Sequence, residues 1–294
     1  MVPQAATDQY RIQQAIAATT ASSLAKLWRQ LGADFSLDWL RVRPQMLRVM
    51  QAGRLATVEA ALPYMQAVLD ETGQVGPPTG VLVASRFTAA APDGRLMLSL
   101  FDEYLIATKV AVAGGASSVE ALAGVGRLFT SMNLTVLADT RRQVFHADLI
   151  QRPRVSGYTR MLNPPSCSRC IVLAGKWFGW NKGFQRHPRC DCIHIPSSEA
   201  LAGESMLDPK EYFDSLSSAQ QDATFTKSGA RAIREGADIG RVVSRQRMPS
   251  ALSRPKGSKP VRLTVDDIYR VAGSRSNAIR LLTQEGFILP RVGA

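Results

Sequence analysis

The chain has 294 residues, 45% of them hydrophobic, and carries a net charge of +12. That length and composition fit one large or two modest globular domains and exclude a disordered polyelectrolyte. No apolar run of about 18 residues is present, which argues against a membrane-spanning helix. The opening MVPQAATDQYRIQQ has no charged stretch followed by an apolar one, so no signal peptide is expected.

Residues 8–32 read as an amphipathic helix. Tyr10, Ile12, Ile16, Leu24, Leu27, Trp28 and Leu31 approximate a helical period, and Gly32 offers a stop. A second helix fits Leu37–Ala52, with Pro44 as a kink or start, and a third runs from about Leu55 to Thr72. The stretch QVGPPTG at 74–80 reads as a turn or short linker. Helical patterns resume at Val81–Ala90 and break at Pro92-Asp93-Gly94. They continue through Arg95–Ala113 and stop at Gly114-Gly115. Ser117 or Ser118 then caps Val119–Phe129, and a further helix holds Leu134–Leu149. Alanine is abundant and β-branched runs are few, so the first 150 residues are expected to be mostly helical.

Pro153 ends that body, and the next stretch concentrates the chain's soft ligands. All four cysteines, Cys167, Cys170, Cys190 and Cys192, lie between Asn163 and Pro196, together with His187 and His194. The first pair is spaced C-x2-C and the second cluster reads H-x2-C-x-C-x-H. Zinc takes four thiolate or imidazole ligands in a tetrahedron, and a C-x2-C turn presents two sulfurs to one point. An extended backbone puts Cys190 and Cys192 on one face, and His187, followed by Pro188, enters from the turn. The expected set is Cys167 and Cys170 with two or three of His187, Cys190 and Cys192; His194 is the weakest candidate. Two disulfides or a set of buried free thiols are the alternatives. A reducing cytosol favours metal, and a closed tetrahedral site makes its role structural. Between the clusters, Trp177, Phe178, Trp180 and Phe184 alternate with Gly175, Gly179, Asn181 and Gly183. This predicts a small β-hairpin clamped by metal at its open end, whose aromatics cover the site or form a base-stacking surface.

C-x2-C, a short Leu-Ala-Gly-Lys segment with aromatics, then HPRCDC and a closing proline resembles the MuF-like minor head proteins of tailed bacteriophages. The signature of that family is C-x2-C followed by H-P-x-C-x-C. The approach GYTRMLNPPSCSRC and the segment AIREGADIGRVV (Ala232–Val243) resemble a branch from phages of actinobacteria, whose members are often labelled capsid maturation proteases. The resemblance covers roughly Ser85 to Val243 and falls on Cys167, Cys170, His187, Cys190 and Cys192. It implies a minor capsid protein acting in head morphogenesis, contacting portal, scaffolding or major capsid protein or packaged DNA. Such a protein would reside in the host cytoplasm during assembly and then in the phage head. A capsid maturation protease cleaving scaffold or capsid protein is the alternative it implies. A non-specific nucleic-acid-binding protein is the reading that charge alone suggests.

Beyond Pro196 an acidic helix-prone region (Ser198–Phe213), a helix capped near Ser217 and a short helix at Ala230–Arg234 are expected. Residues 247–262, RMPSALSRPKGSKPVR, read as a linker. Thr264 caps a helix to Ala272, and a second spans Ser276–Glu285, ending at Gly286, which makes a helix-turn-helix-like unit too small to hold a core alone. Lys227–Ala294 carries 14 Lys and Arg against 5 Asp and Glu, an asymmetry that suits a polyanionic partner or a solvated basic tail; Arg270, Arg275 and Arg280 could face phosphates.

No catalytic motif is visible. His146 is the histidine outside the cysteine cluster, on a predicted helix where Asp148 points elsewhere; Ser156 and Ser166 have no supporting context. G-x-S-x-G, H-E-x-x-H, a P-loop and GxGxxG are absent. The expected architecture is mainly α, α+β overall: a helical body at 1–155, a segment with the Cys/His site at 156–246, a linker at 247–262 and a basic helical module at 263–294.

Overall fold

The computed structural model describes residues 2–162, 166–183, 190, 192–198, 208–246 and 263–289. It is mainly helical, with a small three-stranded antiparallel sheet. The chain divides into two compact units that exchange segments: Met1–Met161 with Trp177–Ser205, and Leu162–Lys176 with Met206–Ala294.

In the first unit, α1 (Gln4–Trp28), α2 (Phe35–Ala61), α3 (Tyr64–Glu71), α4 (Met97–Ala113) and α5 (Ser118–Ile150) build the body. Pro44 sits inside α2 without ending it, because Trp39, Val42, Met46 and Met50 bury one continuous stripe along the helix. Two expected helices, at Val119–Phe129 and Leu134–Leu149, are one. Asn133 Nδ2 donates to the Phe129 carbonyl at 2.9 Å, so the polar residue between the stripes bonds to its own helix and does not break it. Ser117 caps α5 in a capping box with Glu120. The expected helix over Val81–Ala90 is only a 3-10 turn at Ala84–Phe87, for a reason found on α2: Arg54 takes the carbonyls of Phe87, Thr88 and Ala90. By length and composition α5 could cross a membrane, yet it packs on α1, α2 and α4. The core is centred on Leu24, Trp39, Met46, Phe101 and Phe129.

The sheet belongs to this unit. Strands β1 (Gly157–Arg160), β2 (Trp177–Gly179) and β3 (His194–Ser197) lie in the order β2-β1-β3, both pairs antiparallel. The expected hairpin within Ile171–Phe184 is therefore not the motif formed: β2 pairs with β1, and Ile171–Leu173 is helical. Gly157 makes the β1–β2 pairing possible, since a Cβ there would collide with the Phe178 carbonyl and the Trp177 ring. Tyr158 and Ile195 of the sheet, with Ile193 just before β3, pack with Phe145, Leu149 and Tyr64 in a second core.

In the second unit, α6 (Ser168–Leu173) accompanies α7 (Pro209–Ser215), α8 (Ser218–Phe225), α9 (Lys227–Arg234), α10 (Ile239–Arg245), α11 (Val265–Val271) and α12 (Arg275–Gln284). Ser217 and Thr264 cap their helices as expected, each in a capping box. The two C-terminal helices do not stand alone: Val265, Ile268 and Leu282 share one core with Phe213, Phe225, Ile233 and Val242. The proposed linker at 247–262 lies outside the described residues.

Candidate metal centre

In the second unit, Cys167 is the N-cap residue of α6 and Cys170 lies within its first turn. The Ile171 N–H donates to the Cys167 carbonyl at 3.1 Å, closing that turn. Positions three apart on a helical turn share a side, which is the spacing's chemical point. Cys167 is exposed and Cys170 buried; neither forms a disulfide.

In the first unit, Cys190 and Cys192 lead into β3, buried, reduced, with their sulfurs 3.4 Å apart. The alternation of an extended backbone turns both to the same side. Sulfurs bound at about 2.3 Å to one tetrahedral zinc sit roughly 3.8 Å apart, so this pair presents two donors at close to the required separation. His187 and Asp191 lie outside the described residues, and among those described no group of three or more His, Cys, Asp or Glu side chains able to hold a metal is formed.

Three buried arginines surround this cysteine pair. Arg160, on β1, places a terminal nitrogen 3.0 Å from the sulfur of Cys192 and 3.7 Å from that of Cys190. Arg142, on α5, lies 3.8 Å from the Cys192 sulfur, donates to the Cys190 carbonyl and pairs with Asp139 at 2.8 Å. Arg141 donates to the Cys192 carbonyl at 2.6 Å. Burial works against the charge of Arg142, but Cys192, Cys190 and Asp139 outweigh it and raise its pKa above the ordinary arginine value. Sequence reading missed all three arginines. The one signal was a charged pair, Arg141-Arg142, within a helix whose neighbouring positions include the buried Leu137, Val144 and Phe145.

His194 lies on β3 with its ring stacked on Tyr158 at 4.6 Å and edge-on to Phe145 and His146. Burial pushes its pKa down to about 3 against the opposing pull of Cys192, so the imidazole is neutral at physiological pH. His146 also belongs to this aromatic group, 5.2 Å from Tyr158, while the Asp148 carboxylate is engaged by Arg152 at 2.8 Å and by Gln151 at 2.9 Å. Of the aromatics between the clusters, Phe178 stacks on Tyr158, the Trp177 indole donates to the Ser197 carbonyl, Trp180 is exposed, and Phe184 lies outside the described residues. A cavity of about 190 Å³ lined by Gln13, Gln14, Leu137 and Arg141 reaches Cys190.

Several of the basic residues beyond Lys227 serve the second unit itself. Arg241 and Arg245 donate to the Gly286 and Glu285 carbonyls at the end of α12, where a helix concentrates negative charge. Arg275, one of three expected to face phosphates, lies 3.4 Å from Glu235.

Comparison with known proteins found no matching family model, no matching curated protein and no matching solved structure.

Proposed function

We propose that the chain is a minor head protein of a tailed bacteriophage, acting in head morphogenesis, with a structural zinc ion held by Cys167 and Cys170 together with Cys190, Cys192 or His187. The observation that carries the metal reading is the Cys190–Cys192 pair: two reduced sulfurs, buried, 3.4 Å apart, with cationic donors directed at them. Buried free thiols behave as small hydrophobes and need no such donors. Sulfurs that carry a metal ion are electron-rich and accept them. The phage-head reading rests on the C-x2-C and HPRCDC signature, and on it rest the partners: portal, scaffolding or major capsid protein, with packaged DNA for the basic C-terminal region. Zinc would supply cross-linking of chain segments, and the residues' own part is to present sulfur at fixed separation.

Metal analysis of the purified chain beside a Cys167→Ser/Cys170→Ser double variant tests the metal reading, with thermal melting of each in the presence and absence of chelator. About one zinc per chain is expected, lost in the variant together with stability. A metal-free wild type with an unchanged melt on chelator addition would sink it. The assembly reading is tested by co-expression with portal and scaffolding proteins: co-purification with either supports it, and retention of neither overturns it.

A further inference from the structure

Arg160 and Arg142 come from different elements, β1 and α5, and converge on the same cysteine pair: Arg160 reaches both sulfurs, while Arg142 reaches the Cys192 sulfur and the Cys190 carbonyl. Their placement is fixed independently of any ion. Arg160 is held in register opposite His194 by the β1–β3 ladder, and Arg142 is anchored by Asp139 and by the Cys190 carbonyl. Both are buried, with 3% and 2% of their surface exposed. A buried guanidinium is retained where a planar fork meets an electron-rich partner, and here that partner is sulfur.

We propose that Arg160 and Arg142 are positioning residues for the metal centre: they fix the Cys190 and Cys192 sulfurs for one soft divalent cation and stabilise the anionic metal–thiolate group once formed. The inference rests on the metal reading above and adds to it the groups that set how tightly the ion is held. Each N–H directed at a sulfur withdraws electron density from it. The guanidinium charge also offsets that of the metal–thiolate group and opposes protonation of the sulfur, the step that frees a ligand, so the ion leaves more slowly. Outer donors of this kind typically change metal affinity by 10- to 100-fold. Arg141 donates to the Cys192 carbonyl and holds the backbone there.

The test uses the full chain loaded with zinc, and separately with cobalt, as wild type, Arg160→Gln, Arg160→Lys and Arg142→Gln. Arg43→Gln serves as a control; Arg43 pairs with Asp102 on α4 in the same unit. Zinc transfer to a colorimetric chelator is expected to run about tenfold or more faster in Arg160→Gln, with Arg142→Gln intermediate. In the cobalt form, the sulfur-to-metal charge-transfer band should move to longer wavelength in the same two variants and stay in place in Arg43→Gln, a change that lost packing alone would not produce. Arg160→Lys keeps the buried charge and loses the fork, so it carries the test if Arg160→Gln fails to fold; it is expected to release zinc faster than wild type. A metallated wild type whose folded variants match it in both transfer rate and band position overturns this inference alone. A wild-type chain that takes up neither ion overturns the metal reading and this inference with it.

Discussion

Arg54 Nε on α2 donates to Thr140 Oγ1 on α5 at 3.2 Å, and the rest of its guanidinium is spent on the carbonyls of Phe87, Thr88 and Ala90. The side chain is fully buried, and burial lowers its pKa. One cation thus holds the 3-10 turn and the residues after it against two helices. Replacing it by methionine keeps most of the volume but leaves these carbonyls without their donor. Arg54→Met is expected to cost about 2–5 kcal/mol in denaturant unfolding, and protease cleavage should appear first between Ala84 and Ala91. A variant as stable as wild type, or first cut elsewhere, would show that the loop is held by other contacts.

The capping box at Ser117 gives a pH signature. The Ser117 hydroxyl and backbone N–H both bond the Glu120 carboxylate and lower its pKa. A depressed carboxylate contributes stability that is present above its unfolded pKa and lost as the pH falls through the folded one. Ser117→Ala should therefore destabilise the chain near neutral pH. The gap to wild type should narrow as the pH drops below roughly 4. Melting curves of both proteins across that range decide the matter, and a gap that stays constant with pH would rule out a part for Glu120.

Local signals in the sequence carried over where they were self-contained. Ser117, Ser217 and Thr264 cap because an oxygen three residues before a free N–H needs nothing distant. Gly114 and Gly286 end their helices for similarly local reasons. What failed depended on partners far along the chain. Val81–Ala90 has a helical pattern, but its carbonyls are claimed by Arg54, more than 30 positions earlier. The cysteine spacing suggested a metal site, whereas the arginines at the Cys190 and Cys192 sulfurs come from 30 to 50 positions away. Periodicity cannot separate an arginine that faces water from one that faces a thiol.

Gly157 is the point where β1 and β2 can approach. A Cβ there meets the Phe178 carbonyl and the Trp177 ring, so Gly157→Ala must push β2 away or displace the indole. A cost of about 1–3 kcal/mol is expected. Because the Trp177 indole donates to the Ser197 carbonyl at 3.2 Å, tryptophan emission should shift to the red as that ring gains water. Unchanged emission with unchanged stability would mean that the strand pair tolerates the methyl group.

In the second unit Glu235 joins three elements: its carboxylate accepts from Tyr269 Oη at 2.7 Å, from Arg231 at 3.3 Å and from Arg275 at 3.4 Å. Arg231 also lies 4.4 Å above the Tyr269 ring. Burial, then the hydrogen bond to Glu235 and its charge, raise the Tyr269 pKa well above the ordinary phenol value. A raised folded-state pKa means that the phenol's contribution is fully present below the unfolded pKa of about 10 and lost as the pH climbs through the folded one. Tyr269→Phe should therefore lose about 1 kcal/mol at neutral pH, and should lack part of the alkaline destabilisation that wild type shows. Spectrophotometric titration checks the same group: Tyr269 and the buried Tyr64 should both ionise late in wild type, and Glu235→Gln, which removes the charge, should bring one of these two late phases to lower pH and leave the other in place. A Glu235→Gln titration identical to wild type would mean that burial alone holds the phenol neutral.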